Sequence, residues 1–267
     1  MPRPTPRRTL AMALGVLVAL VAGACRTGTV LVTFRPEVGA TYRYGVSVRS
    51  ETTVRIGRNP PETRQLEVKL NAEHTVLEAS DEGVRVEVVL SEPGTDDRTF
   101  VVVFDRAAQL EAIEGMPDDT TGTIGIPEIF PAAAGAPPPQ PLGPGARWAI
   151  DDEVTLPGAD PGARLVGTGR LVGLGVVDGE DVARIRSSAR LPASTLLPLP
   201  RGDLRFDGSQ TTRYRSTVDL DDGAVREAYS TTVGSFRLEL GPPPGQTGAP
   251  VAGSLEVRVE SETERLG

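Results

Sequence analysis

The side chains best suited to chemistry are few and lie far apart in this chain. It has one histidine and one cysteine among its 267 residues. His74 could act as a general base or as a lone metal ligand, but it falls in phase with the apolar residues of its strand. We therefore interpret it as a core or cavity-lining side chain. Without a second histidine or cysteine a zinc site cannot be completed, so the sequence predicts no metal and no cofactor.

Two acidic runs could support carboxylate chemistry. Residues 219–223 (DLDDG) are similar to the start of a calcium loop, but a glycine stands where an oxygen ligand is needed and the twelfth position is Ser230. A hairpin turn is the better interpretation. Residues 151–153 (DDE) could hold a cation or form the acid pair of a hydrolase, although a solvated strand face is favoured. The sequence therefore predicts no catalytic residue.

Five arginines could bind an anion together if their strands were neighbours. Because acidic residues lie nearby in the sequence, we expect a mixed, solvated face instead. The tripeptide at 201–203 (RGD) is interpreted as a chance feature of a loop. These five arginines alternate with apolar residues along two predicted strands: Arg184, Arg186, Arg190, Arg213 and Arg215.

The composition excludes several classes of protein. The chain is 39% hydrophobic and 24% charged, enough for a folded core. Its formal net charge of −8 argues against a nucleic-acid partner. The nucleophile elbow, the phosphate-binding loop and the zinc-protease helix motif are all missing from the sequence. We therefore expect a protein that is not an enzyme.

The N-terminus has the order of a secretory signal peptide. Residues 1–8 hold three arginines and no acid, residues 10–21 are apolar, and small residues at 22–24 lead to Cys25. The apolar run is shorter than the roughly 20 residues of a comfortable membrane span. An ordinary secreted protein with a free cysteine, or an uncut anchor, are the alternatives.

A cysteine directly after the small residues makes this segment resemble the bacterial lipoprotein signal. The resemblance implies that the peptide 1–24 is removed and that the Cys25 thiol carries a diacylglycerol, with palmitate among the acyl chains. It also implies an exported chain that is anchored by its lipid to the cell membrane or envelope. Which membrane this is stays open.

Loss of the signal peptide removes three arginines and no acids, which changes the formal charge from −8 to −11. Such a surface is repelled by anionic lipid headgroups, so membrane affinity is expected to come from the anchor. Because an apolar run begins again at Val30, the tether after Cys25 is short. We predict a domain that lies close to the bilayer.

The mature chain has the period-2 alternation of β-strands almost throughout. Residues 42–56 alternate over a length of about 50 Å, so we expect this strand to bend or break. The apolar run 100–104 is expected near the centre of its sheet. Glycines within 164–177 predict bends, bulges or a close backbone approach. A last hairpin is predicted over 225–233, followed by strands near 235–240 and 254–260.

The two halves of the chain have a similar layout, which predicts a divergent tandem repeat. Each half opens with a glycine followed three residues later by an aromatic residue, at Gly39 and Gly145, and continues through alternating strands and an acidic turn. The expected segments are a signal peptide (1–24), a first β repeat (25–116), a Pro/Gly-rich linker or long loop (117–144) and a second β repeat (145–267). The fold class is all-β and antiparallel, with curved sheets in a sandwich or half-barrel.

Residues 38–44 (VGATYRY) and 141–148 (PLGPGARW) resemble recurring motifs of an uncharacterised family of bacterial secreted and lipid-anchored β proteins, classed as a domain of unknown function. The resemblance covers about 35–260 and implies no known reaction. A more distant likeness is to envelope lipoprotein carriers, whose curved sheets hold acyl chains.

Three functions are compatible with these features. The first is a membrane-tethered, non-enzymatic protein that binds an apolar or amphiphilic envelope ligand. The second is a structural or scaffolding lipoprotein that binds a protein partner through sheet edges and loops. The third, least favoured, is a hydrolase with a carboxylate pair.

Overall fold

The structure is a computed structural model that describes residues 28–105, 110–115, 136–153, 162–197, 202–242 and 248–267. Within these ranges it holds eleven β-strands and no α-helix, so no helix is present that could cross a membrane. The strands are β1 (Thr41–Ile56), β2 (Glu62–Ala79), β3 (Gly83–Ser91), β4 (Arg98–Asp105), β5 (Leu110–Glu114), β6 (Arg147–Glu153), β7 (Arg164–Val177), β8 (Glu180–Leu197), β9 (Leu204–Asp219), β10 (Val225–Leu240) and β11 (Val251–Leu266).

All eleven strands belong to one antiparallel sheet in the order β5-β4-β3-β2-β1-β11-β10-β9-β8-β7-β6. The first five strands and the last six are each consecutive hairpins, and β1 pairs with β11 where the two runs meet. The sheet is curved and open, which confirms the predicted all-β, antiparallel class. Both halves of the chain therefore share one sheet, while the domain boundaries and the repeat stay predictions.

One face of the sheet, the inner face, carries the alternate side chains that are buried, and the other is the outer face. In β1 the inner face takes the even positions from Tyr42 to Ile56. Residues 42–56 lie in this one strand, without the expected break or register shift. Three other strand predictions are corrected. The predicted strands over 225–233 and 235–240 are one strand, β10. Residues 100–104 are expected near the centre of the sheet, but they lie in β4, next to the edge strand β5.

The two halves share their turns and their bulges. Gly39 and Gly145 both have positive φ (85° and 88°), which glycine adopts at little cost. The N–H of Gly39 donates to the Val76 carbonyl at 2.8 Å, and that of Gly145 donates to the Leu171 carbonyl at 2.7 Å. A bulge directly follows each of these carbonyl residues, between Val76 and Glu78 and between Leu171 and Gly173. The second of these confirms the bulge predicted from the glycines of 164–177.

The segment 29–36, which we call the plug segment, closes one end of the curved sheet. Phe34 contacts Tyr42 of β1 and Phe104 of β4, with ring centroids 6.5 and 5.9 Å apart. Because β2 and β3 separate β1 from β4 in the sheet, the sheet must curl around Phe34. Arg35 holds the opposite side through hydrogen bonds from its guanidinium to the carbonyls of Leu220 and Asp221 at 2.8 and 2.9 Å.

Candidate functional site

The predicted lipidation site, Cys25, lies outside the described residues, so its modification stays a prediction. His74 lies on the inner face of β2, with its ring 4.9 Å from that of Tyr44. Burial lowers the pKa of His74 to about 4, so the imidazole is neutral at physiological pH. These surroundings agree with the interpretation of His74 as a core side chain.

Residues 219–223 form the hairpin turn expected from the sequence. The Asp219 carboxylate accepts a hydrogen bond from the Asp221 N–H at 2.9 Å, and that of Asp222 accepts one from the Ala224 N–H at 2.8 Å. The Asp222 carboxylate also accepts the Tyr42 hydroxyl proton at 2.9 Å. Burial and this carboxylate raise the pKa of Tyr42 above its usual range. The aspartates therefore fix the turn and attach it to β1. Among the described residues no group of three or more histidine, cysteine or acidic side chains could hold a metal.

The acidic run 151–153 lies in the edge strand β6. Arg164 of β7 donates a hydrogen bond to the Asp151 carboxylate at 2.7 Å, which lowers the pKa of that carboxyl. A carboxylate held ionised in this way is poorly suited to act as a general acid. In the tripeptide 201–203 the arginine lies outside the described residues, and Gly202 (φ 120°) abuts the backbone of Gly241.

Apolar side chains form a trough on the inner face, at the end of the long strands opposite the plug segment. No second layer of described strands covers it, because all described strands belong to one sheet. Ile56 and Val251 at its rim are 37% and 44% exposed, whereas Leu238 in its floor is 4% exposed. The apolar trough consists of eleven side chains from β1 and β8–β11: Val54, Ile56, Leu191, Leu204, Phe206, Phe236, Leu238, Leu240, Val251, Leu255 and Val257.

Phe236 lies flat on the floor of the apolar trough because glycines stand beneath its ring. A Cβ added at Gly234 would lie 2.7 Å from the ring, and one added at Gly208 would lie 2.8 Å from it. The two glycines sit on β10 and β9, and Gly208 pairs directly with Phe236. Small residues here leave a broad, smooth apolar surface instead of a row of side chains.

Towards the plug segment, the inner face changes from apolar to hydroxyl-bearing. The hydroxyls of Thr212 and Thr232 lie 2.8 Å apart, and those of Ser230 and Ser261 lie 2.9 Å apart. Ser230 and Ser261 are 1% and 5% exposed. Since buried hydroxyls need partners, these cross-strand pairs satisfy one another. The hydroxyl pairs therefore form a compact floor between the apolar trough and the plugged end.

Two hollows in the described part of the molecule are polar and open. One, of about 350 Å³, lies at the C-terminal end of β11, where Arg226 pairs with Asp178 and Glu180. The other, of about 460 Å³, has both arginines and glutamates on its walls. Neither of these two hollows resembles an enclosed apolar chamber.

The five arginines named in the sequence analysis lie on β8 and β9, which are neighbours in the sheet. Neighbouring strands are the condition under which these arginines could bind an anion together. Arg147 of β6 and Arg170 of β7 extend the group on the outer face. None of the seven forms an ion pair with another described residue, although three of them line the larger polar hollow together with glutamates of β10 and β11, in line with the expected mixed face. We call this set the arginine patch: Arg147, Arg170, Arg184, Arg186, Arg190, Arg213 and Arg215.

Neither the apolar trough nor the two additional arginines follow from the local sequence pattern. The trough is assembled from β1 and from β8–β11, which lie far apart in the chain. Strand alternation indicated which residues share a face, but not that β1 would pair with β11. Strand alternation does put Arg147 and Arg170 on the outer face. Their place beside the other arginines, however, depends on the register between strands.

Comparisons with known proteins give no family. No family model matches the chain, and no curated protein matches it. One solved structure that it matches is the toluene transporter TodX of P. putida. That match covers 86% of this chain and 91% of the transporter, at 9% identity and a TM-score of 0.14. A likeness at this level does not bear on function.

Proposed function

We propose that the protein is a non-enzymatic, membrane-anchored envelope lipoprotein that binds an apolar or amphiphilic ligand in the apolar trough. The observation that carries this proposal is the trough itself, with eleven apolar side chains on one face of a single sheet. Soluble proteins seldom expose a large contiguous apolar surface without a partner. The predicted lipid on Cys25 would keep the protein among other lipids, which are the most abundant apolar partners in an envelope.

The dimensions of the apolar trough suit an extended chain. It crosses five neighbouring strands, which at about 4.8 Å per step gives a width of roughly 19 Å. From Gln210 to Leu204 it extends about 20 Å along β9. Its eleven side chains are all apolar, and the ion pair of Glu62 and Arg64 on β2 borders it beside Val54 and Thr52. An acyl chain could therefore lie across it without stranding a charge.

The plug segment supports a position for the predicted anchor at the end of the molecule opposite the apolar trough. Cys25 precedes the first described residue, Gly28, by three positions, and three residues span at most about 11 Å. The plug segment closes one end of strands that are about 50 Å long, and the trough lies at the other. A ligand would thus be held away from the membrane that carries the anchor.

The test compares two substitutions on adjacent residues of β11. Leu255→Glu puts a charge in the apolar trough, whereas Ser254→Glu puts the same charge on the outer face of the same strand. The full chain, purified from membranes, is titrated with a dansyl-labelled fatty acid, and circular dichroism checks the fold of each variant. We expect Leu255→Glu to weaken binding at least tenfold and Ser254→Glu to leave it unchanged. Equal effects, or no binding by the unmodified chain, would contradict the proposal.

The rival function is a scaffold that binds a protein through the edges of the sheet. Among the described residues, β5 and β6 each pair on one side only, and such edges can accept a strand from another chain. Lipid extraction with mass spectrometry separates the two functions. A protein crosslinked at β6 together with no co-purified lipid would favour the scaffold.

A further inference from the structure

Four arginines stand directly opposite one another across four neighbouring strands. Arg147 pairs with Arg170, Arg170 with Arg186, and Arg186 with Arg215. At about 4.8 Å per strand the row is roughly 14 Å long. Like charges in direct cross-strand register destabilise a sheet. Such a row therefore indicates a requirement for bound anions.

No arginine of the row forms an ion pair with a described acid, although Glu227, Glu262 and Glu264 of β10 and β11 line one hollow with Arg186 and Arg215. In the cross-strand rows of β6–β9 that hold the arginine patch, the only acid is Asp151, which is already paired with Arg164 at 2.7 Å. Glu227 on β10 accepts a hydrogen bond from Thr217 at 2.7 Å. Arg215 instead stacks over the Tyr229 ring, 4.4 Å from its centroid. The patch is thus a cationic area on a chain of net negative charge.

Exposed valines lie among these arginines. Val166 is directly opposite Arg190, and Val233 lies in the same cross-strand row on β10. Val166, Val172 and Val233 are 53%, 39% and 51% exposed. Apolar side chains beside arginines are suited to the boundary between lipid headgroups and acyl chains. A soluble polyanion would make no use of the valines.

The start of the described chain lies beside the arginine patch. Val30 forms a β-bridge with Leu142, and Thr29 contacts Gly143. Leu142 precedes Arg147 by five residues, so the chain enters the domain near the edge strand of the patch. Since Cys25 lies about 11 Å or less from Gly28, a lipid on Cys25 would be attached close to this edge.

We propose that the arginine patch docks the domain on a bilayer surface of anionic phospholipids. The guanidinium groups bind the phosphates and the valines enter the headgroup layer. Acidic side chains on β10 and β11 turn the rest of the outer face away from the bilayer. This docking does not depend on any ligand in the apolar trough, so the two proposals can fail separately.

The experiment measures the orientation of the full chain on vesicles. A fluorophore is attached at Ser188→Cys, within the patch, or at Asn71→Cys, an exposed outer-face position on β2. The parent chain, which has no added cysteine, shows how much fluorophore is attached at Cys25 and gives the background signal. Energy transfer to a lipid acceptor is measured on vesicles of phosphatidylcholine alone and of phosphatidylcholine with an equal part of phosphatidylglycerol.

We expect position 188, and not position 71, to lie close to the bilayer on anionic vesicles only, and to move away as salt is raised. An arginine near an anionic surface contributes about fivefold to binding. The triple variant Arg170→Gln, Arg186→Gln and Arg215→Gln should therefore lower the ratio of docked to undocked chains about 100-fold. The matched control, Arg55→Gln, Arg205→Gln and Arg237→Gln, removes the same charge from the far end of the strands and should leave it unchanged.

Three results would overturn the proposal. The first is equal energy transfer from positions 188 and 71, and the second is equal loss from both triple variants. The third is binding of soluble polyphosphate by the patch while anionic vesicles do not attract it, since the partner would then be a free polymer. Circular dichroism of both triple variants confirms that the comparison is between folded chains.

Discussion

The two halves of the sheet share a framework but differ in the side chains placed on it. The bulge after Val76 corresponds to that after Leu171, and the bulge between β4 and β5 corresponds to that between β9 and β10. Aligned in this way, four inner-face residues of β3 and β4 are larger than their counterparts in β8 and β9, while Phe100 corresponds to the larger Tyr214. The pairs are Val88 and Ser187, Leu90 and Ala189, Phe100 and Tyr214, Val102 and Ser216, and Phe104 and Val218.

The outer faces differ even more. The row that holds the four arginines in the second half corresponds to a row of mixed character in the first. That row reads Thr41, Thr75, Glu87, Val101 and Glu114, against Arg147, Arg170, Arg186, Arg215 and Tyr229. A shared backbone therefore does not require the arginines.

The largest expected difference concerns Phe104 and its counterpart Val218. Both are 5% exposed, but Phe104 also packs against the Phe34 ring of the plug segment. Phe104→Ala should lower the free energy of unfolding by about 3–5 kcal/mol. Val218→Ala removes only two methyl groups and should cost about 2 kcal/mol. Urea denaturation of both variants measures the difference. Equal losses would mean that the two halves are packed alike.

Lowering the pH should reduce the free energy of unfolding because of His74, which lies in the first half. Burial lowers the pKa of His74 to about 4, whereas an exposed histidine in the unfolded chain has a pKa of about 6.5. Between these values the unfolded chain binds a proton that the folded chain does not, so stability falls as the pH is lowered. The total loss is about 3 kcal/mol and is complete below the folded pKa.

His74→Gln supplies the control for this prediction. The position that corresponds to His74 in the second half is Gly169, which does not titrate. The free energy of unfolding, followed from about pH 7 to about pH 4.5, should fall more steeply for the unmodified chain than for the variant. Parallel curves would show that His74 is not the group that responds.

The sequence predicted the strands better than it predicted the surfaces they form. Alternation identified the inner-face positions from Tyr42 to Ile56, and the glycines of 164–177 correctly predicted the bulge in β7. Both signals are local, because the side-chain period of a strand is two residues. The pairing of β1 with β11 is not local, and the apolar trough and the row of four arginines depend on that pairing or on strand register. The lipid on Cys25 stays a prediction.

A substitution at Gly169 tests how the second half packs beneath Trp148, its first aromatic residue. The Trp148 indole lies flat on Gly169, so an added Cβ would overlap the ring. Gly169→Ala should displace the indole and cost about 1–3 kcal/mol. Because Trp148 is the only tryptophan, its emission should shift to the red as the ring becomes more exposed. Gly173→Ala on the same strand has no atom within 4 Å of the added Cβ and should leave both readouts unchanged.

The smallest expected effect separates binding from stability. Glu87 occupies the position in the first half that Arg186 occupies in the second, so Arg186→Glu makes the two rows more alike. A glutamate between Arg170 and Arg215 replaces two like-charge contacts by opposite-charge ones, and should raise the free energy of unfolding by about 0.5 kcal/mol. Thermal unfolding at low and high salt measures the gain, which should shrink as salt screens the charges.

A loss of stability at low salt would mean that the arginines are not in mutual repulsion. A gain that coincides with weaker vesicle docking would show that the row lowers stability in order to bind anions.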